Sequence, residues 1–195
     1  LLRQTYALKA GETILFHAAA GGVGSIACQW AKAIGARLIG VVGSAEKAER
    51  AKSLGAWATI DRTQEDVVQR VLELTDGQKC PVVYDSVGKS SWDVSLDCVA
   101  PRGLLVSFGN ASGAVTGVNL GVLAQKGSLY VTRPTLAGYA TSAERLRDMA
   151  AELFEMIASG KINVEIGQRY ALADAAEAQR QLAAGKTTGS TILLP

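Results

Sequence analysis

Phe16-His17-Ala18-Ala19-Ala20-Gly21-Gly22-Val23-Gly24 is the stretch on which the reading of this chain turns. Before it, Glu12–His17 is a mostly apolar run that reads as a strand. After it, Gly22–Ile34 reads as a helix, with Ile26, Ala27, Trp30, Ala31 and Ile34 recurring on one face. A strand feeding a helix through a glycine-rich turn is the setting of the G-x-G-x-x-G phosphate-binding pattern. Aligned to that pattern, Ala19 takes the first position, Gly21 the second and Gly24 the third. Gly21 would let the backbone approach a pyrophosphate. Gly24 would let the helix lie close on the strand, with free N–H groups at the helix start facing the phosphates. The first glycine is replaced, so the pattern alone is a weak match, and a tight turn without a ligand is the bland alternative.

Outward from the turn, strand and helix signals alternate. Arg37–Val42 reads as a second strand, Ala45–Leu54 as a helix stopped by Gly55, and Trp57–Ile60 as a short strand. Thr63 and Asp66 form a capping pair for a helix to about Leu74. Pro81–Val87, Arg102–Phe108 and Ser128–Arg133 are further strands, and Ser90–Val99 and Asn119–Gln125 further helices; Gly109–Gly117 reads as a loop. Thr141 with Glu144 opens a long helix whose inner stripe is Leu146, Met149, Ala150, Leu153 and Ile157. Glu165–Leu172 looks extended, Asp174–Ala184 helical, and Ser190–Leu194 a last strand. This alternation predicts an α/β fold: a Rossmann-type, doubly wound parallel sheet with helices on both faces. The weakest seam, Ser159-Gly160-Lys161, divides 1–160 from a C-terminal segment 161–195.

Composition removes other classes. Twenty Lys and Arg against 18 Asp and Glu leave a net charge of +2, which gives no sign of a nucleic-acid or membrane-surface protein. No apolar run reaches the roughly 18 residues of a membrane span. Three scattered cysteines and one histidine make a zinc site within this chain improbable. Cys28, Cys80 and Cys98 read as buried reduced thiols, which suits the cytoplasm. The first residue is Leu and Leu1–Tyr6 reads like a helix already under way, so the chain is expected to begin inside a larger protein.

The end of the second strand tests the turn further. An acid about 20 residues on would bind a ribose diol. Gly43 stands there instead, followed by Ser44, with Lys47 one turn on. Glycine leaves room for a 2′-phosphate, and Ser44 and Lys47 can bond to it. Arg62, just past the third strand, lies at the edge of the same pocket in this topology. The set favours NADP(H). The missing acid also argues against a methyltransferase-like binder. Lys47 alone could be a solvated first-turn lysine.

His17–Gly24 (HAAAGGVG), Val41–Ala56 (VVGSAEKAERAKSLGA), Val82–Gly88 (VVYDSVG) and Gly103–Gly113 (GLLVSFGNASG) resemble, in that order, the zeta-crystallin-like quinone oxidoreductases. These are the zinc-independent branch of the medium-chain dehydrogenase/reductase superfamily. The resemblance implies hydride transfer from NADPH to a quinone or similar conjugated carbonyl. It also implies an N-terminal GroES-like substrate domain of which nothing is visible here, and it makes 161–195 the return segment of that domain, with Tyr170–Pro195 partly orphaned. The isolated chain is then expected to bind NADPH and to reduce quinones poorly. Carried over, Gly21, Gly22, Val23 and Gly24 match the phosphate turn, and Gly43, Ser44 and Lys47 the 2′-phosphate pocket. Arg62 stands where relatives often have Tyr. Ser86 and Val87 fall beside the adenosine and ribose; Phe108, Gly109, Asn110 and Ser112 fall by the nicotinamide. Each has a bland alternative: Phe108 as core, Ser86 as a helix cap, Asn110 and Ser112 as turn formers.

His17 reads as a structural histidine with no evident carboxylate partner. Tyr84 reads as sheet packing and Asp85 as a helix or loop cap, so no catalytic side chain is assigned. Ser128–Arg133 should be an edge strand, and edge and resemblance together point to a homodimer through it. Two alternatives stay open: an enone or enoyl reductase of the same superfamily, and an NADPH-binding module without turnover.

Overall fold

The computed structural model describes residues Leu1–Pro195. β1 (Thr13–His17) runs into α1 (Gly22–Ile34), β2 (Arg37–Val42) into α2 (Ala45–Ser53), and β3 (Ala58–Asp61) into α3 (Val67–Leu74). β4 (Cys80–Asp85), α4 (Trp92–Cys98), β5 (Val99–Ser107), α5 (Gly121–Gln125) and β6 (Tyr130–Thr132) complete the pattern. All six strands join one parallel sheet in the order β3-β2-β1-β4-β5-β6. The order reverses between β1 and β4, and open α/β sheets bind ligands in the crevice beyond the carboxyl ends of such strands.

The strands read so clearly because both their faces are buried. All five residues of β1 are buried. Ile14 and Phe16 join a cluster with Ala27, Cys28 and Ala31 of α1 and Ala48 and Ala51 of α2. Leu15 points the other way, toward Val67 and Val71 of α3 and Leu96 of α4. The two clusters are the two helical layers of a doubly wound fold. The three cysteines are free and buried, as expected.

Local corrections concern ends. α3 starts after Asp66, whose carboxylate accepts from Gln69 N; Thr63 is no cap, and its hydroxyl donates to Asp61 Oδ1. The long helix α7 (Ala143–Ala158) is capped by Ser142, which accepts from Arg145 N, rather than by Thr141. A short helix α6 (Leu136–Tyr139), capped by Thr135, precedes it and was not foreseen. β4 stops at Asp85 because that carboxylate turns back to cap the next loop.

β7 (Ile166–Ala171), α8 (Ala175–Ala183) and β8 (Ser190–Leu194) form a separate, two-stranded parallel unit. It touches the main sheet where Gly189 bridges Gly21. Leu172, Leu182, Leu193 and Leu194 on it are exposed. No helix is long and apolar enough to cross a membrane.

Candidate dinucleotide site

Where β1 ends, Ala18 takes a left-handed conformation and Gly21 N donates back to the Ala18 carbonyl (3.0 Å). α1 then starts at Gly22 with no side chain capping it and no acid in its first turn. The N–H groups of Val23 and Gly24 have no acceptor, so the positive end of the helix faces the crevice. A Cβ on Gly24 would lie 2.4 Å from the Ala18 carbonyl oxygen and 2.6 Å from Ala19 Cα. Only glycine lets helix and strand close this far. The turn thus has the donors and the bare backbone that a diphosphate needs.

At the end of β2, Ser44 caps α2 by accepting from Lys47 N. A Cβ on Gly43 would meet Arg62 Nη2 at 3.4 Å, so the guanidinium already lies over the glycine. Gly43, Ser44 and Arg62 are therefore together. The Lys47 ammonium is engaged elsewhere, donating to the Gly185 carbonyl.

Beyond β4 and β5 two turns are stitched together. Ala111 N donates to Ser86 O (3.2 Å) and Ser112 N to Val87 O (2.8 Å). The Ser112 hydroxyl also donates to Val87 O and accepts from Ser90 N, so it shapes the turn. A Cβ on Gly109 would sit 2.3 Å from Ser86 O, which only glycine avoids. Phe108 packs on Phe16, ring centroids 5.6 Å apart, at the floor of the crevice. Arg133, read from sequence only as part of an edge strand, donates to the carbonyls of Ser107 (2.7 Å) and Gly109 (3.2 Å) and holds the Asn110 loop. An apolar hollow of about 520 Å³ opens beside the turn, lined by Leu1, Val23, Trp30, Phe108, Leu136 and Leu153 among others.

Sequence reasoning gave His17 no carboxylate partner; the structure supplies one through a hydroxyl. Ser95 Oγ lies 3.0 Å from His17 Nε2 and donates to Asp85 Oδ2 at 2.6 Å. Asp85 also accepts from Ser91 Oγ (2.7 Å), Val87 N (2.7 Å) and Gly88 N (3.0 Å), so its role as a loop cap stands. Burial pushes the His17 pKa down; Arg62 adds to this and Asp85 opposes it. Burial works against ionisation of Asp85, but His17 and the hydrogen bonds from Ser95, Ser91 and Gly88 hold it below the usual carboxylate value.

A pH dependence follows. Well above pH 6.5, the ordinary histidine value, the ring is neutral in both folded and unfolded protein. Below it the unfolded chain takes one up before the folded chain does, so stability falls on acidification. The thermal midpoint should drop between about pH 6.5 and 5, and His17→Gln should flatten that part of the profile. A variant as acid-sensitive as wild type there would assign the effect elsewhere.

The donor set does not suit a metal. No group of three or more His, Cys, Asp or Glu converges. Burial pushes the thiols of Cys80 and Cys98 up to about 12, so they stay protonated.

The family model described as zinc-binding dehydrogenase matches residues 22–158. A quinone oxidoreductase of Pseudomonas aeruginosa is 71% identical over 195 residues, covering all of this chain and 60% of the relative. A 2-haloacrylate reductase of a Burkholderia species is 39% identical over 199 residues, covering all of this chain and 59% of the relative. The crystal structure of Escherichia coli quinone oxidoreductase complexed with NADPH superposes with a TM-score of 0.98 at 59% identity, over all of this chain and 60% of that one. The chain thus spans about 60% of the length of the quinone oxidoreductases it matches. With the six-stranded sheet, the glycine turn and more than half its length under the family model, the chain belongs to the zinc-binding dehydrogenase family, although its own side chains suit no zinc.

Proposed function

We propose that this chain is the cofactor-binding part of an NADPH-dependent oxidoreductase that transfers hydride to a quinone or a similar conjugated carbonyl. The observation that carries the reading is the Arg62 guanidinium over Gly43, beside Ser44 and one strand from a helix terminus with free N–H groups. NADPH, when bound, supplies the hydride. In the turn Gly21, Gly22, Val23 and Gly24, the free N–H groups of Val23 and Gly24 bind its diphosphate and the glycines leave the backbone bare for its approach. Arg62 and Ser44 take the 2′-phosphate, and Lys47 joins them once it leaves the Gly185 carbonyl. Ser86 and Val87 border the adenosine and ribose; Phe108, Gly109, Asn110 and Ser112 border the nicotinamide. Hydride transfer to a quinone depends on cofactor placement, and no side chain here is given a proton-transfer role. Residues 1–160 form the cofactor body and 161–195 the return toward a substrate domain, in a protein that fits the cytoplasm.

The relative named 2-haloacrylate reductase favours one second reading, reduction of an activated carbon–carbon double bond. Following NADPH oxidation by the intact protein with quinones, enones and 2-haloacrylate as acceptors separates the two. Quinone should be fastest. NADPH binding with no oxidation by any acceptor would leave a binding module.

The intact protein should also be a homodimer through Ser128–Arg133. β6 is the last strand of the sheet, with Tyr130 and Val131 exposed beside its unpaired edge. Sedimentation at micromolar concentration should give a dimer, and Tyr130→Glu with Val131→Glu a monomer. A wild-type monomer would remove this reading.

A further inference from the structure

We propose that Ser95 is a positioning residue for cofactor binding: its hydroxyl joins the His17 imidazole to the Asp85 carboxylate and so sets the spacing between the glycine turn and the Ser86–Gly88 turn. This rests on the reading that NADPH lies across those two turns.

The backbone ladder between the two strands ends just before these turns. β1 and β4 are paired at Leu15↔Val83 and Phe16↔Tyr84, and the ladder stops there. His17 and Asp85 come next on each strand, at the seam where strand order reverses and the crevice opens. Past Phe16 the two strand ends are joined by side chains: His17 to Ser95 at 3.0 Å, Ser95 to Asp85 at 2.6 Å. α4 delivers Ser95 to this seam fully buried, with Ser91 one turn before it.

Counting protons fixes how the bridge is built. The Asp85 carboxylate is ionised and offers only lone pairs. Oδ1 takes the N–H groups of Val87 and Gly88; Oδ2 takes the hydroxyls of Ser91 and Ser95. A serine has one proton, and that of Ser95 goes to Asp85. Toward His17 the serine oxygen can therefore only accept, so Nε2 carries a proton. Burial of the ring keeps it neutral, which leaves Nδ1 bare. The opposite tautomer would set two lone pairs face to face in a buried site. Asp85 in turn holds the Ser86–Gly88 turn by two N–H groups, and His17 leads directly into Ala18 and the glycine turn. One hydroxyl thus ties both walls of the crevice.

The test uses the intact protein. Ser95→Ala strands the Nε2 proton and removes one donor from Asp85. Its dissociation constant for NADPH should rise about five- to tenfold, the size of one buried hydrogen bond. KM for NADPH should rise in step, while kcat and KM for the quinone move less than about twofold, since the hydride-accepting end is untouched. Ser95→Thr restores the hydroxyl and should recover most of the affinity. In wild type, NMR of the imidazole nitrogens, with His17→Gln assigning the signals, should show a neutral ring protonated on Nε2.

A folded Ser95→Ala protein that binds NADPH as tightly as wild type overturns the positioning role. A wild-type ring protonated on Nδ1 overturns it too, and needs no variant to fold. Wild-type protein that leaves NADPH unbound overturns the cofactor reading itself.

Discussion

Gly24→Val is expected to abolish NADPH binding and to remove at least about 3 kcal/mol of stability, the upper end for overpacking. The atoms a side chain would strike are backbone: the Ala18 carbonyl oxygen at 2.4 Å and Ala19 Cα and carbonyl oxygen at 2.6 Å. They cannot step aside cheaply. Ala18 is already in a left-handed conformation, and Ala19 N is tied to the Val41 carbonyl at 3.2 Å. Relief requires lifting α1 from the sheet, and this displaces the same N–H groups that face the phosphates. In a domain of this size the loss corresponds to a thermal midpoint lower by roughly 6–12 °C. Gly22→Ala is the stability comparison, because its nearest atoms lie at 3.4 Å and an added methyl makes tight but tolerable contact. A scanning-calorimetry trace and an NADPH titration decide the matter. A Gly24→Val protein with native midpoint and native affinity would show that the close approach is not needed.

Lys47→Ala with Arg62→Ala should remove the preference for NADPH over NADH. A charge-assisted hydrogen bond contributes about 1.5–3 kcal/mol, so each substitution should weaken NADPH by at least about tenfold. NADH has no 2′-phosphate and should be little affected. The two residues should not contribute equally. Arg62 already lies over Gly43, whereas Lys47 must first give up the Gly185 carbonyl. Arg62→Ala alone is therefore expected to cost more than Lys47→Ala alone, and both losses should shrink in high salt. Titrating both cofactors by fluorescence or calorimetry gives the ratio. Equal losses for NADPH and NADH would mean damage to the fold, and a wild-type preference for NADH would refute the reading of Gly43 and Ser44.

The sheet was legible in the sequence because its strands are buried on both sides. Thr13–His17 and Arg37–Val42 stand out as short apolar runs between turn signals, and α1 spans the residues its apolar periodicity marks. Helix starts were less legible where two polar residues compete. Thr141 and Ser142 each have the chemistry of a cap, and only the path of the entering chain selects Ser142. Leu136–Tyr139 is too short to show a period at all. In the candidate site the features that sequence can mark are local. The glycine turn and Gly43-Ser44 are contiguous in sequence, and topology brings Arg62 to them. The long-range contacts did not read. His17 and Ser95 are 78 residues apart, and their meeting depends on which face of α4 turns inward. Lys47 is diverted by a carbonyl 138 residues away, a contact no local pattern announces.

The bridge between Gly21 and Gly189 bears on the order in which this protein assembles. The segment that makes it is tied back by long-range contacts: Gln29 with Asn163 across 134 residues, Arg50 with Glu165 across 115, and Gly189 N to Ala20 O at 3.1 Å. Such pairings close loops of more than a hundred residues, and their entropic cost is met only after the local strand–helix units have formed. On a ribosome the central strands β1, β2 and β4 can pair while the tail is still being synthesised. Gly21 in the phosphate turn thus reaches its final surroundings only once Gly189, far later in the chain, has been made.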